Sequence, residues 1–330
     1  MSEQSAPLSR RQLQFLVTEN CNLNCVYCYE EHKTGRSLPA SFMCEKIRQE
    51  METGSQGDLL VDFFGGEPLL RFDAIREVVD WFHAQHWPRT RRVWFSVGTN
   101  GTLLNDTRKQ WFARNCNDVI LCLSLDGTPS AHDRNRSNSY NAIAPHLSFF
   151  REYWPQQPVK MTIGPQTVDQ VYEGLLHLHS LGFEVDADVV FEDVWGDEVS
   201  LASAVEIFSQ ELAKLVEYYA AHPGVPRPKL VKRPLVELFN SKWTRDLTFC
   251  GAGTHLICYT ASGEEYPCMR FSPVATCKPL RRLGDSPQAE GVPCSRCVFE
   301  PICPSCQGYN YTVNGSHINR TAYHCRFFQA

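Results

Sequence analysis

The fifteen cysteines of this 330-residue chain, and where they fall, restrict its fold more than any other feature. Three stand together at Cys21, Cys25 and Cys28. Nine lie between Cys250 and Cys325, and only Cys44, Cys116 and Cys122 separate the two groups. The first dozen residues, MSEQSAPLSRRQ, are polar and lack the apolar run of a secretory signal. Without an oxidising compartment a disulfide framework has nowhere to form, and an odd count cannot pair fully within one chain. Clustered thiols in a reducing compartment point to metal. We expect two metal regions flanking a cysteine-poor body, in a cytoplasmic protein.

The body alternates. Apolar runs at 13–17, 59–64, 92–97, 119–125, 159–163 and 183–191 read as strands. Helical spacing follows each, at 42–51, 72–82, 103–113, 142–153, 168–182 and 201–220. Six strand-then-helix units mean a parallel sheet with helices outside it. Periodicity alone leaves open a partial barrel or a doubly wound sheet. In both, ligands sit beyond the carboxyl ends of the strands. The first cysteines, GGEP (65–68), GTNG (98–101) and SLDG (124–127) follow the first four strands, so they should converge at one rim.

After residue 222 the texture changes. The segment 221–229, AHPGVPRPK, reads as a linker, and 234–243 as a short helix. Beyond it apolar runs are short, so metal would have to supply the stability that a core does not. We expect a core domain over 1–222 and a linker with a second metal domain over 223–330. With 32 basic against 37 acidic residues and no long basic run, no nucleic-acid partner is expected. No stretch approaches the ~18 apolar residues of a membrane span.

Three thiolates on one short loop can hold three irons of a 4Fe-4S cube and leave the fourth iron open. Zinc instead favours a closed tetrahedron of four ligands. The run CNLNCVYC, with GGEP after the next strand, resembles the signature of the radical S-adenosylmethionine superfamily. That resemblance implies a catalytic 4Fe-4S cluster on Cys21, Cys25 and Cys28, with S-adenosylmethionine on its open iron. Tyr27 takes the family's aromatic position. Gly65, Gly66 and Glu67 match the motif that receives the methionine amino group, Ser124 would contact its carboxylate, and Arg136, ahead of Arg134, would pair with that carboxylate. Glycines permit close backbone approach, and Glu67 or nearby carbonyls can accept from an ammonium. The fold expected is a partial (βα)6 TIM-like barrel with a small C-terminal iron–sulfur domain.

The C-terminal pattern, CGAG at Cys250 through CSRCVFEPICPSC to Cys325, resembles the SPASM extension of such enzymes, which carries auxiliary clusters. Carried over, one cluster takes Cys294, Cys297, Cys303 and Cys325, and the other takes Cys250, Cys268 and Cys306. Two departures stand out: two residues, not three, separate Cys303 from Cys306, and SKWTRDLTF lacks a further cysteine. The second set is therefore open at its fourth iron, or Cys258 or Cys277 completes it. A structural zinc ribbon fits the same ligand types.

The resemblance implies a peptide or protein substrate and a small reductant such as flavodoxin or ferredoxin. Sulfatase-maturing members place an aspartate base directly after the cysteine matching Cys268. Here Met269 stands there, and a thioether takes no proton. We expect a maturase of a ribosomally made peptide. The alternatives are a formylglycine-generating sulfatase maturase and, from another class, a non-catalytic iron–sulfur or zinc scaffold, which would not need GGEP. No general acid or base is assigned from sequence.

Overall fold

The structure is a computed structural model and describes residues 11–53, 57–87, 91–231, 250–287, 294, 297, 303 and 305–330. Six strands form where the apolar runs predict them: β1 (Arg11–Thr18), β2 (Leu59–Gly65), β3 (Val93–Thr99), β4 (Val119–Leu123), β5 (Val159–Ile163) and β6 (Val185–Val189). Parallel ladders join β1 to β2, β2 to β3, β3 to β4, and β5 to β6. A bridge between Ser124 and Lys160 links β4 to β5, and Leu125 N–H donates to the Lys160 carbonyl at 2.8 Å. A doubly wound sheet reverses its order at a switch point. Here each strand neighbours the next in sequence, which is the order of a partial barrel.

Alternation along the strands separates two faces. Phe15, Phe63 and Phe95 stack across β1, β2 and β3, with centroids 6.4 and 6.1 Å apart, in the core beneath the helices. On the opposite face Gln14, Asp62 and Ser96 stand side by side, with Leu16 and Phe64 nearby in a second apolar cluster. Asp62 accepts from Ser96 Oγ at 2.6 Å and from Gln14 Nε2 at 3.1 Å. Asp62, Phe64, Gly98 and Cys122 on this face line a cavity, while Leu16 packs on Leu256 and Cys258.

The helices are α1 (Ala40–Thr53), α2 (Phe72–His83), α3 (Asp106–Arg114), α4 (Pro129–Asn135), α5 (Tyr140–Ile143), α6 (Leu147–Tyr153), α7 (Val171–Ser180) and α8 (Glu198–Ala221). The single helix expected over 142–153 is instead α5, a 3-10 turn at Ala144–His146 and α6. Pro145 has no N–H to give and crowds the preceding turn. The last strand is shorter than 183–191, because the Phe183 N–H is spent on the Leu178 carbonyl at the end of α7. Gly182, with φ +82°, supplies the left-handed residue that stops α7.

Two short strands were not legible in the sequence. β7 (Leu256–Tyr259) pairs in parallel with β1, setting Cys258 opposite Gln14, and β8 (Glu265–Tyr266) pairs antiparallel with β7. The cysteine-rich region thus extends the core sheet next to the strand that carries the first cysteine loop. The helix expected at 234–243 lies outside the described residues. The helix Ala322–Gln329 returns to the core, with Phe327 against Phe208 and Trp195 at 5.5 and 4.3 Å between centroids. Among the described residues no helix is long and apolar enough to cross a membrane.

Candidate active site

The loop from Cys21 to Cys28 leaves β1 and is tied down at three rims. The end of β2 reaches it first: Gly66 N–H donates to the Thr18 carbonyl and Glu67 N–H to the Asn20 carbonyl, both at 2.9 Å. A Cβ on Gly65 would sit 2.3 Å from Thr18 O, and one on Gly66 would sit 2.2 Å from Asn20 O. Side chains there would displace the backbone that carries the cysteines, so glycine is required by contact. Gly65 also has φ +130°, which favours glycine.

The end of β3 makes the second tie. Asn100 Nδ2 donates to Asn22 Oδ1 at 3.0 Å, and Asn22 Nδ2 donates to Thr102 Oγ1 at 2.7 Å. The third comes from the end of α4 and the turn after it, where the Asn135 carbonyl accepts Val26 N–H at 3.0 Å and Ser137 Oγ accepts Asn24 N–H at 2.9 Å. Ser137 and Asn138 both have positive φ, 56° and 55°, a turn held in an uncommon conformation to reach this loop.

Cys21, Cys25 and Cys28 line one cavity of about 530 Å³, together with Gly65, Gly66 and Glu67. Tyr27, Ser124 and Arg136 line it too, so every residue predicted around the first cluster meets in one space. Burial pushes the Cys25 thiol up to about 11, despite the opposing Arg136 charge, and pushes Cys21 up as well. Three thiols spaced round a cavity suit a cube with irons at separate corners.

Glu67 is fully engaged. Its Oε1 accepts Leu69 N–H at 3.0 Å and Thr99 Oγ1 at 2.7 Å, and its Oε2 accepts Asn100 N–H at 2.8 Å. The carboxylate is 1% exposed. It clamps the ends of β2 and β3, so both of its oxygens are already occupied.

Arg136 is buried, and its Nε donates to Asp126 Oδ2 at 3.0 Å. Its guanidinium lies 5.3 Å from the Tyr27 ring centre. Asp126, from SLDG, is a hub that sequence reading did not single out. Its Oδ2 also accepts Tyr27 Oη at 2.5 Å and Asn135 Nδ2 at 3.1 Å, while Oδ1 accepts Thr162 N–H at 2.9 Å. SLDG and DRNR together carried that signal, since a buried arginine needs a buried acid. Cys122 and Glu30 also line the cavity, and burial pushes the Glu30 carboxyl up to about 7.

In the C-terminal region, Cys294, Cys297, Cys303 and Cys325 line a second cavity of about 380 Å³. Cys268 lies within electrostatic reach of Cys306 and Cys250, and burial with these neighbours pushes its thiol up to about 12. The two groupings match the two sets drawn from sequence. Cys258 is buried in the apolar cluster on which Cys268 packs. Cys277 is exposed, its Sγ 3.2 Å from His32 Nε2. Among the described residues, no three His, Cys, Asp or Glu side chains are placed to share a single metal ion.

A family model described as the Radical SAM superfamily matches residues 15–207. A cysteine-type anaerobic sulfatase-maturating enzyme of Clostridium novyi (strain NT) is 27% identical over 172 residues, 48% of this chain and 45% of that relative. The match thus spans under half of that relative. Two solved structures share the fold over 97% of this chain. One, described as native anSMEcpe with bound AdoMet and Cp18Cys peptide, has a TM-score of 0.74 at 15% identity over 95% of its length. The other, Streptococcus suis SuiB bound to precursor peptide SuiA, has a TM-score of 0.66 at 15% identity over 76% of its length.

Proposed function

Because the chain belongs to the radical SAM superfamily, we propose that it is a peptide maturase that reductively cleaves S-adenosylmethionine and takes hydrogen from a ribosomally made peptide. The observation that carries this reading is the meeting of Cys21, Cys25 and Cys28 with the Gly65–Glu67 turn, Ser124 and Arg136 in one cavity. When bound, a 4Fe-4S cluster with S-adenosylmethionine supplies a 5′-deoxyadenosyl radical that abstracts hydrogen. The three thiols hold the cluster. The Gly65–Gly66 carbonyls accept from the methionine ammonium, with Glu67 fixing the turn that presents them. Ser124 and Arg136 take the carboxylate, and Asp126 holds Arg136 in place while Tyr27 stacks on it.

We assign Cys294, Cys297, Cys303 and Cys325 to one auxiliary cluster, and Cys250, Cys268 and Cys306 to another. In this reading 1–222 is the radical-generating unit and 223–330 the auxiliary unit, although the two share a sheet through β7. A flavodoxin or ferredoxin in the cytoplasm would supply the electron. The peptide substrate is supported by the two fold neighbours, whose structures contain peptides. A formylglycine-generating sulfatase maturase is the second reading, favoured by the Clostridium novyi relative. Met269, where such enzymes carry their base, argues against it.

The test is anaerobic reconstitution with iron, sulfide and 5′-deoxyadenosine measured on the same sample. About twelve irons per chain, three cubes of four, are expected, with release under reducing conditions. Cys25→Ala should abolish that release, and a variant that still releases the nucleoside would overturn the mechanism. Cys297→Ala should lose iron yet still cleave the cofactor. Loss of zinc in its place would restore the ribbon.

A further inference from the structure

Arg270 lines the same cavity as the first cysteines, beside Tyr29, Phe191 and Glu192, and none of the roles assigned above uses its charge. It stands two residues after Cys268, on the 3-10 turn Met269–Phe271, with its side chain 19% exposed. Its Nη1 donates to the Glu192 carboxylate, in the loop after β6. Its guanidinium carbon lies 4.1 Å from the centre of the Tyr29 ring and 5.6 Å from that of Phe191. From another side the helix Gln307–Asn314 closes on it: a Cβ on Gly308 would lie 2.5 Å from the Arg270 Cβ. Glycine there lets the chain just after Cys306 come against Arg270. Tyr29 follows Cys28 directly and also packs on the apolar cluster that Cys268 touches. One ring–guanidinium contact therefore stands between the catalytic cysteines and the nearer auxiliary set.

Thiolates at half-buried Cys268 and Cys306 bring negative charge into a place that solvates it less well than bulk water, and a neighbouring cation offsets that cost. We infer that Arg270 is the countercharge of the Cys250–Cys268–Cys306 set, held by Glu192 and Tyr29 so that it favours that set's more reduced state. The inference rests on the reading that this set holds an auxiliary cluster. Cluster potential follows net charge, hydrogen bonding and exposure, and a fixed cation in low-dielectric surroundings acts strongly. Arginine suits the place because a planar guanidinium stacks on aromatic faces and stays charged when buried. Burial opposes the charge, but Cys306 and Glu192 outweigh it and raise the Arg270 pKa. In this role Arg270 is a positioning residue, acting through the cluster.

The test is an EPR-monitored reductive titration of anaerobically reconstituted full-length protein, with iron counted in the same samples. Arg270→Gln should move one non-catalytic cluster to lower potential, and Arg270→Lys should recover most of the shift. Glu192→Gln should move the same cluster to higher potential, since it removes the offsetting negative charge. The cluster whose spectrum changes on adding S-adenosylmethionine should move least. Equal midpoints in all variants, with full iron, would overturn the inference. If Arg270→Gln loses iron, Glu192→Gln decides alone, and an unshifted midpoint there overturns it. A wild-type chain with about four irons, all in the S-adenosylmethionine-responsive cluster, would have no second midpoint and would instead overturn the auxiliary reading beneath it.

Discussion

The carboxylate of Glu67, at the end of β2, accepts the backbone N–H of Asn100, at the end of β3, at 2.8 Å. Asn100 in turn reaches Asn22 inside the cysteine loop. Three sequence motifs far apart in the chain are thereby one hydrogen-bonded unit, with a buried carboxylate at its centre.

Glu67→Gln should weaken that unit. A glutamine amide sets N–H groups against N–H and O–H donors at a position that is only 1% exposed. The expected loss is about 1–3 kcal/mol, the usual cost of leaving buried polar groups unpaired. Urea unfolding measures it, with S-adenosylmethionine affinity falling in parallel. An unchanged urea midpoint would mean that the clamp carries no stability.

Gly66→Ala should damage the first cluster selectively. Its Cβ would overlap the Asn20 carbonyl, and the Asn20–Cys21 backbone would have to move. Overpacking of this kind costs about 1–3 kcal/mol. The S-adenosylmethionine-responsive cluster should be lost while auxiliary iron stays. Gly98→Ala is the control, because its nearest neighbour would be Phe64 at an ordinary 3.6 Å. If both variants reconstitute equally, contact does not explain the glycine.

Asp126→Asn removes the buried acid that Arg136, Tyr27, Asn135 and Thr162 all address. Leaving a buried guanidinium without its partner costs about 3–5 kcal/mol. Denaturant unfolding should register that loss. A drop smaller than about 1 kcal/mol would show that the pair behaves like a surface one.

His132 sets a pH dependence. Its Nδ1 accepts Asp126 N–H at 3.2 Å, so its proton sits on Nε2, facing Ser139 Oγ at 3.0 Å. Burial lowers its pKa to about 4 from 6.5. A histidine with a depressed folded pKa binds protons more readily when unfolded. The His132 contribution should therefore be level above pH 6.5 and fall between pH 6.5 and 4, by as much as ~3 kcal/mol, opposed between about pH 7 and 4.5 by Glu30, whose raised carboxyl stabilises the fold as pH falls. His132→Asn, which keeps an acceptor near Nδ1, should flatten that part of the profile. A variant as acid-sensitive as the parent would place the dependence elsewhere, His324 being the next buried histidine.

Spacing and periodicity suffice for the strands, most of the helices and the convergence of the cysteine loop with GGEP, GTNG and SLDG. These are local properties: a strand declares itself by its apolar run, and the rim follows from alternation of strand and helix. Periodicity left the partial barrel and the doubly wound sheet open, and the resemblance chose the barrel; the β7 extension and the roles of Asp126, Glu67 and Arg270 were not legible. Each depends on a partner far along the chain. LICY is too short to show a period, and an aspartate ending a strand reads as a turn until Arg136, Tyr27 and Thr162 meet it. Sequence alone determined which residue types could hold a metal cluster and at which end of the barrel. Tertiary structure alone decided which carboxylates are consumed as clamps and which charges face the cysteines, because burial and pairing are set by residues brought together only when the sheet closes.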